Sequence, residues 1–191
     1  FQYPTPDGYT VGTVSMHNVV INPMLFTRLP FDPQKDFQWI SAMWDLPNVA
    51  VVPAAHVPAR NVQEFIAAAK KTPGKMNLGG SGLNSANHAS HERLNAQFGI
   101  KSTYVPYKGT GDMALAVVGN QIDGAVTYTA FAINNKTKVR ALAVAMEKRH
   151  PLLPDVPTFK ELGVDWVDGA YRGIGVPKST PPEARKKLSD M

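Results

Sequence analysis

The segment 74–109 constrains the fold of this chain more than any other part of the sequence. It reads GKMNLGGSGLNSANHASHERLNAQFGIKSTYVPYKG, which predicts a strand, a glycine-rich loop, a helix and a second strand. The loop is predicted over 79–85, where the strand ends and the helix begins. Glycines there let the backbone turn tightly and come close to a ligand.

A loop in that position favours an anion. The first amides of a helix have no acceptor within the helix, and the helix dipole adds partial positive charge at the same end. No strong nucleophile–base pair accompanies the loop. The segment therefore indicates the holding of an anionic small molecule, and no catalytic residue is proposed.

Strands alternate with helices along the chain, which predicts parallel pairing and a doubly wound α/β fold. Caps are assigned to Asn61, Thr110 and Thr158. Strands are predicted over 9–14, 49–52, 76–78, 103–105, 122–127, 139–144 and 172–176. Helices are predicted over 62–70, 85–98, 111–118, 129–135 and 158–162, with a last one from the Pro181–Pro182 pair.

The strands at 49–52 and 172–176 are interpreted as two crossings of a hinge between lobes. On that interpretation 51–170 forms one complete α/β lobe, lobe II. Residues 1–50 and 171–191 then form the remains of lobe I.

Several motifs, in order along nearly the whole chain, resemble those of one family. LGGSGLNSANH (78–88) and YVPYKG (104–109) match the patterns YGSAGxGSSxHL and HVPYKG of tripartite tricarboxylate transporter receptors, the Bug-type, TctC-like solute-binding proteins. The other matching motifs are PDGYT (6–10), HNVVINP (17–23), LPFDPQKDF (29–37), PNVAVVP (47–53), VRALAV (139–144), LPDVPT (153–158) and GIGVPKSTP (173–181).

This resemblance implies a bilobal fold of the type II periplasmic-binding-protein kind, with one lobe incomplete here. It implies a periplasmic receptor that captures a small carboxylate for membrane transporter subunits, without catalysis and without a cofactor. It also implies a preceding strand–loop–helix segment and further C-terminal helices, so the chain is interpreted as a fragment. No signal peptide is visible in it.

Composition agrees with a soluble globular protein. The chain has 191 residues, of which 43% are hydrophobic and 18% charged, and it has no cysteine, which excludes disulfides and thiolate metal sites. Its apolar runs are too short for membrane insertion. The net charge of +5 is scattered along the chain, so nucleic acid is not expected as a partner, although a mild positive field would steer anions.

Candidate ligand residues follow the predicted strands, because ligands bind beyond the carboxyl ends of strands in such sheets. For most of them a purely structural role is the alternative: the loop residues would turn the chain and cap the helix, Tyr107 and Lys108 would form an exposed pair, and His17 would bond only to its loop. The candidates are Ser15, His17, Asn18, Gly80, Ser81, Gly82, Ser85, Tyr107, Lys108, Thr127 and Tyr128.

Two local patterns refine the chemistry. His88 and His91 lie three residues apart on one helix face, but no third ligand is evident, so no metal site is proposed. The family often has an Asp where this chain has Thr127 and Tyr128. An Asp at that position would bind the amino group of a ligand. Its absence here indicates a carboxylate ligand without an amino group rather than an amino acid.

Two other classes stay open from sequence. A hydrolase would need the GxSxG elbow, whose spacing Gly80, Ser81 and Gly82 lack. An effector-sensing domain of a transcription regulator shares the bilobal architecture, but it would need a helix-turn-helix segment, and none is present.

Overall fold

The computed structural model describes residues 5–15 and 17–191. They form two compact units: unit 1 consists of the described residues of Phe1–Asp45 together with Ala170–Met191, and unit 2 is Leu46–Gly169. The chain passes from unit 1 to unit 2 within the strand Phe37–Pro53, and it returns at the start of the strand Gly169–Pro177. The lobe boundaries given above remain a prediction.

The elements alternate along the chain as an α/β protein requires. The strands are β1 (Gly12–Ser15), β2 (Phe37–Pro53), β3 (Asn77–Ser81), β4 (Thr103–Tyr107), β5 (Gly124–Tyr128), β6 (Val139–Val144) and β7 (Gly169–Pro177). The α-helices are α1 (Asn22–Leu25), α2 (Val62–Lys71), α3 (Ala86–Phe98), α4 (Thr110–Val118), α5 (Thr129–Asn134) and α6 (Pro182–Ser189), and a π-helical turn covers His17–Ile21.

In unit 1, β7 lies between β1 and β2. It pairs antiparallel with β1, which places Gly12 opposite Gly175 and Ser15 opposite Arg172. A Cβ added to Gly173 would lie 2.9 Å from the Ser41 carbonyl oxygen, so β7 and β2 approach closely there.

In unit 2, the strand order is β6-β2-β5-β3-β4. β3 is parallel to β4 and to β5, whereas β2 is antiparallel to both β5 and β6. The predicted parallel pairing is therefore found for β3 with β4 and β5, and it is wrong for β2. β2, the strand through which the chain enters unit 2, runs opposite to β3, β4, β5 and β6.

Two apolar layers cover the sheet of unit 2. One contains Ala50 and Val52 with residues of α2 and α3, and the other contains Val49 and Val51 with residues of α4 and α5. The run 49–52 is buried on both faces, which explains why it has no polar alternation.

Some predicted bounds were wrong for local reasons. β3 continues to Ser81, so Gly79 and Gly80 belong to a strand and the loop begins at Gly82. A Cβ on Gly79 would lie 2.5 Å from Ile122, and one on Gly80 would lie 2.5 Å from the Tyr104 hydroxyl. Close packing by neighbours, rather than a turn, thus requires these two glycines.

Two predicted caps also differ from the structure. Thr110 is the first residue of α4, and Gly109 precedes it without a side-chain cap. Thr158 accepts a hydrogen bond from the Glu161 amide, but the residues after it form turns and no helix. Asn61 caps α2 as predicted. Across 5–15 and 17–191, no helix combines the length and apolar character needed to cross a membrane.

Candidate functional site

The loop between β3 and α3 is held by the cap of the helix. The Ser85 hydroxyl accepts a hydrogen bond from the His88 amide at 3.3 Å and donates one to the Gly82 carbonyl at 3.0 Å. Gly82 has a φ of 76° and Asn84 a φ of 55°, the left-handed region that favours glycine and tolerates asparagine. Ser85 therefore has the structural role given above as an alternative: it caps the helix and holds the turn.

Asn87, in the first turn of α3, fixes the end of β3. Its Oδ1 accepts hydrogen bonds from the Ser81 amide at 3.1 Å and from the Ser81 hydroxyl at 2.5 Å. The amide can only donate, so it determines which end of the Asn87 side chain faces Ser81. The Nδ2 group is consequently turned away, and it is buried without a partner among the described residues.

Three donors at this helix end have no acceptor among the residues that the structure describes: the amides of Ala86 and Asn87, and Asn87 Nδ2. Asn87 is 0% exposed. A buried donor left unpaired costs about 1–3 kcal/mol. An acceptor such as a carboxylate oxygen would remove that cost and would also interact favourably with the helix dipole.

An aromatic pair supports the loop from the side. The Tyr104 hydroxyl donates to the Gly82 carbonyl at 2.8 Å, and its ring stacks on His88 with centroids 4.4 Å apart. Burial raises the pKa of Tyr104, so it stays a neutral donor. His88 Nδ1 accepts from the Asn84 amide at 3.1 Å, which uses another amide of the loop.

The parallel strands bring several predicted residues to one edge of the sheet. Ser81 lies opposite Tyr107 at the carboxyl ends of β3 and β4, and the Gly82 amide donates to the Tyr107 carbonyl at 2.7 Å. Tyr128 ends β5, which is parallel to β3. Parallel strands end at the same edge, so these residues form one candidate site in unit 2.

A family model described as the tripartite tricarboxylate transporter family receptor matches residues 1–191. The chain belongs to this receptor family. A relative from Cupriavidus necator, described as a UPF0065 protein in the gbd 5' region, is 35% identical over 190 residues, which are 99% of this chain and 57% of that protein.

Solved structures show the periplasmic-binding-protein α/β fold expected for a receptor of this family. MatC from Rhodopseudomonas palustris with bound malate matches with a TM-score of 0.86 and 29% identity. The matched region is 97% of this chain and 64% of the MatC chain. A second protein from that species, with adipate, matches with a TM-score of 0.85 and 28% identity. This matched region is 98% of the present chain and 63% of the neighbour. The chain thus spans little more than half of its curated relative and under two thirds of these solved chains.

The remaining predicted site residues lie outside the loop between β3 and α3. Lys108 is exposed, whereas the Thr127 side chain is fully buried, and its hydroxyl has no hydrogen-bond partner within 5–15 and 17–191. Ser15 ends β1 in unit 1. His17 and Asn18 follow in the π-helical turn, and their side chains lie outside the described residues.

Sequence reasoning missed Asn87 and Tyr104. Asn87 stands where the family pattern accepts any residue, so the resemblance did not single it out. A weak signal was present: a short polar side chain in the first turn of a helix can reach back to a strand end. Tyr104 looked like an ordinary strand residue, because its contact with the loop depends on pairing between strands.

The two histidines of α3 have separate partners. His88 bonds the loop, while His91 lies inside with Nε2 2.9 Å from the Ser102 hydroxyl. Within the described part of the chain, no three His, Asp or Glu side chains are grouped as metal ligands.

Proposed function

We propose that this protein is a periplasmic solute-binding receptor that captures a small carboxylate and delivers it unchanged to a tripartite tricarboxylate-type membrane transporter. The likeness to the malate- and adipate-bound structures, across nearly all of this chain, carries the proposal. Both of those ligands are small organic acids.

The loop of unit 2 supports an anionic ligand. At the N-terminus of α3 the amides of Ala86 and Asn87 have no acceptor among the described residues, which leaves a position there that an acceptor on a ligand would fill. Ser81 and Tyr107 lie beside that position at the ends of their strands. A carboxylate held by amides needs no charged partner at this point, because the helix dipole supplies part of the attraction.

Binding without chemistry at this loop is supported by the partners of its two serines, Ser81 and Ser85. The Ser81 hydroxyl donates to Asn87 Oδ1, and the Ser85 hydroxyl donates to the Gly82 carbonyl. Among the described residues, neither hydroxyl is bonded to a histidine ring that would act as the general base for a serine nucleophile.

The transporter partner and the periplasmic location come from the family description and from a neighbour described as a periplasmic transporter. They remain proposals for this chain, which matches 57% of the length of its curated relative. Co-purification with membrane transporter subunits expressed from the same genome would test the partner.

The function is tested by a panel of metabolites in thermal shift assays followed by calorimetry. Mono- or dicarboxylates should raise the melting temperature, and the corresponding amides should not, because only the acids bring negative charge to the helix end. Stabilisation by sugars or cations alone would contradict the proposal.

The variant Ser81→Asp tests the place of binding. The introduced carboxylate should take the donors at the α3 N-terminus and repel the solute, while circular dichroism shows an intact fold. Ser179→Asp adds the same charge to an exposed turn of unit 1 and should leave affinity unchanged. Full affinity in Ser81→Asp would show that this loop is not the site.

A further inference from the structure

The sheet of unit 2 has one edge at which four of its strands begin. β3 and β4 start there side by side, with Asn77 opposite Thr103, and β5 starts next to β3. β2 ends at the same edge where β6 begins, with Pro53 opposite Val139. The candidate carboxylate site lies at the carboxyl ends of β3, β4 and β5, which is the opposite edge.

Positive charge that is dispersed in the sequence collects at this edge in the fold. The segments that connect the elements here are 54–61, 72–76, 99–102, 119–123 and 135–138. Together with the last turn of α2 they supply seven basic residues, which we call the basic edge: Arg60, Lys70, Lys71, Lys75, Lys101, Lys136 and Lys138. All seven are exposed, and within 5–15 and 17–191 none of them forms an ion pair with a carboxylate.

The acidic residues near the basic edge are fewer, and two of them are already engaged. The Glu64 carboxylate accepts a hydrogen bond from the Arg60 amide at 2.8 Å, and Asp123 accepts one from the Asn77 amide at 2.8 Å. Asp155 is the third acidic residue here, in the loop that follows β6. The edge therefore keeps a clear excess of positive charge.

An apolar side chain accompanies these charges. The Lys136 ammonium donates to the Leu152 carbonyl at 2.7 Å, and Leu152 is 56% exposed. Exposed leucine beside lysine is typical of surfaces that lie at the interface of a bilayer, where the apolar side chain enters between the headgroups.

We propose that the basic edge docks unit 2 onto a bilayer that carries anionic phospholipid headgroups. Six of its seven basic residues are lysines, whose charge sits on a flexible stem and suits a fluid layer of headgroups. Arginine, with its rigid fork, is the residue preferred for fixed ion pairs with proteins and for contacts with nucleic acids. Each lysine near such a bilayer strengthens binding about fivefold.

Docking at this edge leaves the loop between β3 and α3 uncovered, because that loop lies at the opposite edge of the sheet. The inference goes beyond the proposed function and does not depend on it.

The test is co-sedimentation of the purified chain with vesicles of phosphatidylcholine alone or of equal parts phosphatidylcholine and phosphatidylglycerol. The chain should sediment with the anionic vesicles and stay in solution with the neutral ones. Added salt should release it, because salt screens attraction between exposed charges.

Two double variants with the same net charge locate the contact. Lys101→Glu with Lys138→Glu should weaken binding to the anionic vesicles by at least about 25-fold. Lys148→Glu with Lys187→Glu changes two exposed lysines outside the basic edge and should weaken it far less. Leu152→Ser should also weaken binding, whereas Leu115→Ser, which changes a leucine that is 74% exposed in α4, should not.

Equal sedimentation with neutral and anionic vesicles would overturn the inference, and so would equal losses in the two double variants. Retention on immobilised polyglutamate without binding to anionic vesicles would also overturn it and would indicate an acidic protein as the partner. Circular dichroism checks the fold of each variant, and the dependence of wild-type binding on lipid charge and salt needs no variant at all.

Discussion

His91 is a titratable side chain buried inside unit 2, with an exposure of 2%. Its Nδ1 lies 3.0 Å from Glu92 and its Nε2 lies 2.9 Å from the Ser102 hydroxyl. Burial lowers the pKa of His91, and the nearby Glu92 carboxylate opposes this shift without cancelling it. In the folded protein the neutral ring is therefore favoured more than in the unfolded chain.

This shift predicts a loss of stability in mild acid. As the pH falls below about 6.5, the unfolded chain binds a proton at this position before the folded protein does. The contribution of His91 to the free energy of unfolding is thus complete above that pH, and it decreases as the pH falls towards the lower folded pKa.

Urea unfolding at about pH 8 and about pH 5.5 checks this prediction. His91→Gln should lose less stability between the two conditions than the wild type. His56→Gln changes an exposed histidine and should lose as much as the wild type. Equal losses in all three proteins would contradict the prediction.

Single residues also show what the sequence can reveal. Asn61 and Ser85 were predictable as caps because a cap depends on three or four neighbouring residues. Asn87 was not, since its role depends on Ser81 at the end of a strand and on the complete burial of its side chain. Whether Ser85 contacts a ligand stays a prediction.

At the scale of elements, α3 is defined at both ends. Ser85 caps its start, and Gly99, with a φ of 59°, ends it. Ser85→Ala should lower the free energy of unfolding by about 1 kcal/mol, because the His88 amide loses its acceptor. It should also weaken carboxylate binding, since the same hydroxyl holds the Gly82 carbonyl. Chemical denaturation and calorimetry measure the two effects.

Asn61→Ala is the matched control, because Asn61 caps α2 in the same way through the Glu64 amide. It should cost a similar free energy of unfolding and leave carboxylate affinity unchanged. The prediction fails if Ser85→Ala is as stable as the wild type, or if both variants weaken binding equally.

Among the elements, local pattern predicted some bounds and missed others. The strand at 139–144 coincides with β6, and the helix predicted over 85–98 starts one residue early. β2 was expected over 49–52 but extends from Phe37 to Pro53. Its first half is partly exposed and does not alternate, so it is a strand because it lies beside β7, far away in the sequence.

For the molecule as a whole, unit 1 exposes large apolar side chains. Tyr9 is 94% exposed, Met24 80% and Leu25 53%, and β1 stands at one edge of the strand order. Open strand edges and apolar surface favour association between chains. We expect this 191-residue chain to self-associate as its concentration rises, which size-exclusion chromatography with light scattering would detect.

The variant Met24→Lys should shift that association to higher concentration. Leu115→Lys is the control: Leu115 is 74% exposed but lies in unit 2, so the change should have little effect. A wild-type protein that stays monomeric at every concentration, or variants that behave alike, would count against unit 1 as the contact surface.

The division of the chain between the units also sets an order for folding during synthesis. Unit 2 is a continuous stretch, Leu46–Gly169, and can fold once that stretch has left the ribosome. β1 cannot, because Gly12 must wait for Gly175 before the two strands can pair. The pairing of β1 with β7 therefore waits until β7 has emerged, and a ribosome stalled before β7 would hold β1 without that partner and ready for a chaperone.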